Sequence, residues 1–517
     1  MTIDNSRRNV IKAVVATTII TASRNVTANP MVDSVTFTSP NDLAKNRSAL
    51  RLSNAIKNRE VSCVDVMKHY LNRIEAVNPK YNAIVALRDR KDLLKEAQKK
   101  DNDLAKGVYH GWMHGFPHAV KDLAPTKGIK TTMGSPIYKD WLPDFDNLLV
   151  QRIKQAGAII IGKTNVPEFG LGSQSYNSVY GTTGNAYDVS KTAGGSSGGA
   201  ACALALNLVP VADGSDMMGS LRNPAAYNNV IGFRPSAGRV PSVPSKELFI
   251  QQLGYAGPMG RNVADTIMLL NTMAGYDSRA PLSLDTNKDI NNFATVTSMK
   301  GKRIAWLGDF DGYLNMEQGV LDVCEHGLKT FTALGAVVEK ISSPIDPKEL
   351  WKSWLTHRQW LIMGSLYDLY KDKAKRSLMK TEAIWEIENG LKLSALDVYQ
   401  ASLVRSKWYL KLNELFNKYD LIVLPSAQVF AFDKVIHWPK NINSVEMDTY
   451  HRWMEVVIPG SLSGLPIVNV PAGFSKNNQA MGLQLIGKNR SDFTLLRMAH
   501  IYEQAFYMTN NYIQPNI

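Results

Sequence analysis

Residues 194–200 read GGSSGGA and residues 213–224 read DGSDMMGSLRNP, so two glycine-rich stretches, each with serines, follow one another closely. Glycine lets a backbone turn sharply and approach a ligand, and runs of free N–H groups can hold a developing oxyanion. Ser196 lies in the first stretch and Ser220 in the second. We therefore expect two neighbouring loops that together form a serine-dependent catalytic site.

A serine hydroxyl attacks carbonyl carbons poorly at neutral pH, so a serine hydrolase needs a base beside its nucleophile. The nine histidines of this chain offer no obvious partner. Lys121 lies at the predicted end of a strand, in the segment FPHAVKDL at residues 116–123. Because a lysine buried at low dielectric constant loses its preference for the charged form, Lys121 is the candidate base.

Helix and strand patterns alternate along the rest of the chain. Apolar residues recur at helical spacing from about residue 39 to 86, and again at 149–155, 263–274 and 492–506. Predicted strands lie at 118–120, 158–162, 303–307, 336–338, 421–424 and 467–470. A mainly helical stretch over 343–419 is expected to form a cap over the site. This alternation predicts an α/β protein with one catalytic domain, its central sheet mostly parallel or mixed and covered by helices on both faces.

These segments together resemble the amidase signature family. The resemblance extends over about residues 40–506. Besides the two serine loops it is carried by AVKD at 119–122, GKTNVPEF at 162–169, IGFRPSAGRVP at 231–241, GPM at 257–259, SGLP at 463–466 and GLQLIG at 482–487. It implies hydrolysis of a carboxamide, or of a linear or cyclic amide, to a carboxylate plus ammonia or an amine. It also implies a small-molecule substrate and no metal or organic cofactor, in a family that includes homodimers.

The resemblance also implies a role for each of three residues. Ser220 corresponds to the nucleophile, Ser196 to the bridging serine and Lys121 to the base. The proton of Ser220 would pass to Ser196, whose own proton passes to Lys121, and the reverse relay would protonate the leaving amine. A cis peptide bond is implied between Gly195 and Ser196.

An oxyanion hole is implied in the backbone N–H groups of Met217, Met218 and Gly219, together with that of Ser220. The family more commonly has glycine where Met218 stands. A positive φ at that position would strain a methionine. We expect instead that Met218 keeps its N–H in place and alters only the pocket wall.

Three other patterns suggest competing interpretations of the site. Ser196 lies in a G-x-S-x-G pattern typical of the α/β-hydrolase nucleophile elbow, but residues 188–193 are polar where that elbow requires an apolar strand. Lys163 competes with Lys121 as base, although a surface or structural role is the expectation. Three histidines lie four residues apart, but the glycines and proline among them oppose a continuous helix, so no metal site is expected at His110, His114 and His118.

The first 28 residues have the pattern of an export signal. Paired arginines at positions 7 and 8 precede an apolar stretch at 13–22 and a small-residue cleavage site at 26–28. The pair resembles a twin-arginine signal, which predicts periplasmic localisation and an amidase domain over 29–517. No later stretch reaches about 18 uninterrupted apolar residues, so no stable membrane anchor is expected after processing.

Charge distribution and cysteine content argue against a nucleic-acid-binding protein and against a fold that depends on disulfides. The formal net charge is +13, but the basic residues are spread along the chain and no nucleic-acid-binding module is visible, so no nucleic-acid partner is expected. The three cysteines cannot all pair within one chain, so the fold does not depend on a disulfide framework.

Two other functions stay open from the sequence. One is a glutamine amidotransferase subunit in tRNA charging, which needs partner subunits and a cytoplasmic location, so the predicted export signal opposes it. The other is a non-catalytic binding protein on the same fold, suggested only by Met218. The presence of Lys121, Ser196 and Ser220 opposes that function.

Overall fold

The computed structural model describes residues 42–43, 46–250, 252–285, 296–510 and 513–516. The predicted export signal lies outside these ranges. The strands are β1 (Ile84–Val85), β2 (Pro117–Lys121), β3 (Ile159–Thr164), β4 (Tyr176–Asn177), β5 (Gly181–Thr182), β6 (Ala212–Asp216), β7 (Ile231–Arg234), β8 (Tyr255–Gly260), β9 (Arg303–Trp306), β10 (Val337–Lys340), β11 (Leu421–Pro425), β12 (Asn441–Ile442), β13 (Val445–Glu446), β14 (Ile467–Phe474) and β15 (Ala480–Ile486).

Helices alternate with these strands, as the sequence predicts. They are α1 (Ala49–Lys57), α2 (Cys63–Tyr81), α3 (Arg90–Ala105), α4 (Leu148–Gln155), α5 (Gly198–Ala205), α6 (Arg222–Tyr227), α7 (Val263–Met273), α8 (Val320–Ala333), α9 (Pro347–Lys371), α10 (Lys373–Arg376), α11 (Thr381–Gly390), α12 (Ala395–Phe416), α13 (Ile458–Ser463) and α14 (Asp492–Thr509). Within the described ranges, no helix is both long and apolar enough to cross a bilayer.

Eight strands form the large sheet, in the order β10-β9-β11-β15-β14-β7-β8-β6. The pairs β10–β9 and β9–β11 are parallel, whereas every other neighbouring pair is antiparallel. The prediction of a mixed sheet is confirmed, and the alternative of a mostly parallel sheet is wrong. One reason for the antiparallel pairs is the length of the connections. Only residues 475–479 join β14 to β15, which is too short for the crossover that parallel strands need.

A second, three-stranded sheet carries the candidate base. Its order is β1-β3-β2, with β2 parallel to β3 and ending at Lys121. The sequence predicted that β3 closes at Gly162, but the strand continues to Thr164. Gly162 serves close packing instead, since a Cβ there would lie 3.0 Å from the carbonyl oxygens of Val85 and Ala86.

The two serine loops lie at the ends of buried elements. Ser196 lies two residues before the start of α5, whose residues are mostly small and all buried. Ser220 follows β6 and precedes α6, which is also fully buried. The small side chains of α5 let it approach its neighbours closely, and both loops rest on helices that are fully buried.

Candidate active site

A cavity of about 280 Å³ lies where the two serine loops meet the end of β2. Three sequence-predicted residues, Lys121, Ser196 and Ser220, line it together. Its walls also include Leu123, Leu149, Phe169, Leu171, Ser215, Met217, Met218, Tyr255, Arg358, Ile362 and His451. An apolar pocket with a few convergent polar groups has the composition typical of a small-molecule site.

Lys121 is the polar centre of the cavity. Its ammonium nitrogen Nζ lies 2.8 Å from the Oγ atoms of both Ser196 and Ser197, and 3.0 Å from Oγ of Ser215. The side chain is 2% exposed. Burial lowers the pKa of Lys121 to about 7, although the carboxylates of Asp213 and Asp216 act in the opposite direction. Near neutral pH a large fraction of Lys121 is therefore uncharged and able to accept a proton.

The carboxylate of Asp213 fixes the strand end that carries Lys121. It accepts hydrogen bonds from the backbone N–H of Lys121, at 3.2 Å, and lies 3.0 Å from Nε2 of the fully buried His118. Asp213 therefore joins β2 to β6 beneath the cavity. The sequence analysis did not single out Asp213, although it is the first residue of the quoted DGSD stretch.

The peptide bond between Gly195 and Ser196 is cis, as the family resemblance implies. The loop around it is tightly packed, since a Cβ on Gly195 would lie 2.7 Å from the backbone nitrogen of Gln174. The N–H of Gly195 donates to Oδ1 of Asn223 at 3.2 Å, which connects the first serine loop to the second. Both serines are thus held by one continuous set of contacts.

Asp216 closes the loop that carries Ser220. Its carboxylate accepts from the N–H groups of Gly219, at 2.8 Å, and Leu221, at 3.1 Å, and from the guanidinium of Arg222 at 3.0 Å. Burial by itself would raise the pKa of Asp216, but Arg222 and the nearby Arg234 outweigh it and hold that pKa at about 2. The loop is therefore braced by a fully buried, ionised carboxylate.

Gly219, one expected member of the oxyanion hole, has its N–H engaged within the loop. The N–H of Gly219 donates to Asp216, and Gly219 does not line the cavity, whereas Met217, Met218 and Ser220 do. Gly219 has φ +78°, a conformation that favours glycine. The absence of a side chain lets Gly219 adopt this turn conformation, and its N–H helps to hold the loop through Asp216.

Met218 has an unstrained backbone and contributes its side chain to the pocket wall, as expected. Among the described residues with positive φ, the loop contributes Gly219 and not Met218, so no strain of that kind arises from the methionine. The Met218 side chain is 5% exposed and forms part of the cavity wall. The change from the common glycine therefore reshapes the pocket.

Two of the competing patterns, Lys163 and the three histidines, lie outside the cavity lining. Lys163 is fully buried but does not line the cavity, and its Nζ donates to Oγ1 of Thr126 at 2.9 Å. It is a structural lysine rather than a surface one. The three regularly spaced histidines have separate partners, since His110 contacts Asp103, His114 contacts the carbonyl of Lys100, and His118 contacts Asp213.

The sequence analysis gave no individual role to two further cavity residues. Arg358 lies on α9, in the stretch predicted to form a cap, and His451 lies at the start of the 3₁₀ helix Arg452–Val457. The tryptophans around them, Trp354 and Trp453, are fully buried core residues. Both residues lie in aromatic-rich stretches, WKSWLTHRQW at 351–360 and YHRWM at 450–454, and that composition is the signal that indicates this wall.

Comparison with known proteins gives the same assignment over most of the chain. The family model described as Amidase matches residues 65–496. The chain is 33% identical over 483 residues to the A subunit of the glutamyl-tRNA(Gln) amidotransferase of Carboxydothermus hydrogenoformans, covering 88% of this chain and 96% of that protein. It is 31% identical over 460 residues to an acylamidase of Rhodococcus erythropolis, covering 88% and 94%. A bacterial aryl acylamidase of the amidase signature family has a similar structure, with a TM-score of 0.82, 27% identity, and coverage of 89% and 96%.

Proposed function

This chain belongs to the amidase signature family of amide-bond hydrolases, and we propose that it cleaves a small-molecule amide through an acyl-enzyme formed on Ser220. The substrate is a carboxamide or a linear or cyclic amide, and the products are a carboxylate and ammonia or an amine. The observation that carries the proposal is the 2.8 Å contact between Nζ of a buried Lys121 and Oγ of Ser196, on the cavity that Ser220 also lines.

The proposed reaction begins with a proton relay. The neutral amine of Lys121 accepts the proton of Ser196, which in turn takes the proton of Ser220 as Ser220 Oγ bonds to the amide carbon. The tetrahedral intermediate then breaks its carbon–nitrogen bond, and the relay runs backwards to protonate the departing nitrogen. Water activated by the same relay cleaves the ester to release the carboxylate and restore Ser220.

The proposed oxyanion hole differs from the expectation at one position. We assign it to the backbone N–H groups of Met217, Met218 and Ser220, because all three residues line the cavity while the N–H of Gly219 is bonded to Asp216. Fixed donors that need no reorganisation stabilise the charge of the intermediate most effectively. Asp216 keeps them fixed by holding the loop on both sides of Ser220.

The proposed function is tested by intact-mass spectrometry of the protein, without its predicted export signal, after treatment with a fluorophosphonate. We expect one adduct, mapped to Ser220 by peptide analysis, because a fluorophosphonate reacts with an activated serine nucleophile. An adduct on Ser196 would favour the nucleophile-elbow alternative. The absence of any adduct would contradict a serine hydrolase and favour the non-catalytic alternative.

The amidotransferase relatives favour a second candidate function, an amidase subunit that releases ammonia from glutamine for tRNA charging. Such a subunit works with partners in the cytoplasm, which the predicted export signal opposes. Ammonia release from free glutamine that required added partner subunits would support this candidate. Hydrolysis of simple amides by the isolated chain supports the proposed function. A homodimer stays a prediction from the family resemblance.

Export to the periplasm is proposed from the N-terminal sequence alone. Replacing Arg7 and Arg8 together with lysine should retain the protein in the cytoplasm, because a twin-arginine signal is read by a receptor rather than by hydrophobicity. Immunoblots of periplasmic and cytoplasmic fractions measure the effect. The Arg24→Lys change is the matched control and should leave export intact. Equal periplasmic yield from both variants would contradict a twin-arginine signal.

A further inference from the structure

One wall of the cavity presents two polar side chains that the proposed reaction does not use. Arg358 is 4% exposed and His451 is 1% exposed, and both line the cavity beside Met217. Buried polar groups carry a free-energy cost unless they are hydrogen-bonded. Their position on a substrate cavity therefore raises the question of what they bind.

Arg358 is held rigidly at two of its three nitrogens. Its Nε donates to the carboxylate of Glu386, and its Nη2 donates to the hydroxyl of Tyr450 at 2.7 Å. The hydroxyl of Tyr450 donates in turn to Glu386 at 2.7 Å, which closes a buried triangle. The third nitrogen, Nη1, contacts the Met217 sulfur at 3.4 Å. A thioether is a weak acceptor, so Nη1 keeps its capacity to donate on the side of the cavity wall.

His451 is hydrogen-bonded at one ring nitrogen, and its other ring nitrogen contacts the carboxylate of Glu386 without a hydrogen bond. Its Nδ1 lies 2.8 Å from Oγ1 of Thr449, which orients the ring, and the ring packs edge-on against Trp351 and Trp354. Its Nε2 is buried and has no hydrogen-bond partner among the described residues. The closest carboxylate oxygen, on Glu386, is 3.4 Å away. A buried nitrogen without a hydrogen bond, on a residue that lines the same cavity as the Arg358 donor, indicates a binding site for a ligand group.

The charges around the pair favour an uncharged ligand group. Burial alone would raise the pKa of Glu386, but Arg358 outweighs it and holds that pKa at about 2, so the carboxylate balances the guanidinium. Burial also lowers the pKa of His451, in spite of Glu386, and keeps the ring neutral at neutral pH. An anion placed here would meet Glu386 with no net positive charge to offset it.

We propose that the Arg358–His451 pair binds a second, uncleaved carboxamide of the substrate. The carbonyl oxygen of that group would accept from Nη1 of Arg358. Its N–H would donate to Nε2 of His451, in the tautomer whose Nδ1–H donates to Oγ1 of Thr449. The apolar part of the substrate would lie against the hydrophobic walls, including Leu171 and Ile362. This inference rests on the proposed function, because it names the substrate class of the same cavity: small molecules with two amide groups.

The test uses p-nitroanilides with three acyl chains of matched shape. The chains end in a carboxamide, in an isopropyl group or in a carboxylate, as in 4-carbamoylbutanoyl, 5-methylhexanoyl and 4-carboxybutanoyl. A mirrored series places the same three end groups on the amine side of acetamides, with products followed by mass spectrometry. The pair can contact only one side of the cleaved bond, so we expect a preference in one of the two series. In that series, kcat/KM of the wild-type chain should be at least about tenfold higher for the carboxamide than for the other two compounds, which corresponds to the free energy of about one hydrogen bond.

Variants then assign the preference to the pair. His451→Phe keeps a ring among the tryptophans, and Arg358→Lys keeps a charge beside Glu386, while each removes the nitrogen that would bind the carboxamide. Each should lower the carboxamide-to-isopropyl ratio of kcat/KM by about tenfold. His437→Phe is the matched control, since His437 is exposed and outside the cavity, and it should leave the ratio unchanged. Fluorophosphonate labelling at the wild-type rate shows that each variant keeps an intact site.

The outcomes separate this inference from the proposed function. Ser220-dependent hydrolysis of these compounds without a carboxamide preference in either series would overturn only the role of the pair. A preference for the carboxylate, or a ratio unchanged in both variants, would do the same. If no compound is hydrolysed and Ser220 is not labelled, the proposed function fails and this inference fails with it. If one variant misfolds, the wild-type ratios together with the other variant still decide the question.

Discussion

The Ser220→Ala variant is expected to lose at least on the order of 10⁴-fold in kcat, because removal of the nucleophile leaves only binding and oxyanion stabilisation. Release of p-nitroaniline from a simple acyl p-nitroanilide measures the loss. The Ser220 side chain makes no hydrogen bond within the described ranges, and the loop around it is held by Asp216 through backbone groups. The variant should therefore keep its fold and its substrate affinity.

A surface serine provides the control for this loss. Ser377 is exposed and its hydroxyl donates to the carbonyl of Ala374, so Ser377→Ala should retain full activity. Circular dichroism of both variants establishes that the fold is unchanged. Hydrolysis by Ser220→Ala at a rate near that of the wild type would rule out Ser220 as the nucleophile.

Lys121→Met is expected to lower kcat/KM by about 10²- to 10⁴-fold at pH 8, the range for removal of a general base. It should also remove the acidic limb of the pH profile. The neutral amine is the active form, so in the wild-type chain kcat/KM should fall about tenfold per pH unit below the pKa of about 7, and reach a plateau above it. Initial rates at low substrate concentration between pH 5 and pH 9 measure both effects. Because these rates give kcat/KM, their pH dependence reports the pKa of the free enzyme.

Glu455 is the matched control for this pH dependence. Burial raises its pKa also to about 7, in spite of the neighbouring Arg452, but Glu455 does not line the cavity. The Glu455→Gln variant should keep the acidic limb with the same midpoint. An acidic limb that survives in Lys121→Met and disappears in Glu455→Gln would show that a different group controls the reaction.

The sequence alone was enough to locate the candidate site. Ser196, Ser220 and Lys121 were each identified from loops or strand ends whose local patterns are distinctive, and the structure brings all three to one cavity. Helices and strands were found for a similar reason, since apolar periodicity is a property of neighbouring residues. Exact ends were less accurate, as β3 shows by continuing past Gly162, because the pairing with β1 decides where that strand ends.

The tertiary structure decided what each group contacts. The sequence could not show that the N–H of Gly219 is bonded to Asp216, that Lys163 is buried away from the cavity, or that Arg358 and His451 share one wall. These facts depend on which distant segments pack together, and no local spacing records that. Residue identity thus determined which chemistry is available, through local conformation and intrinsic reactivity. Packing and burial determined which groups perform it, because they set distances, hydrogen-bond partners and the pKa of Lys121.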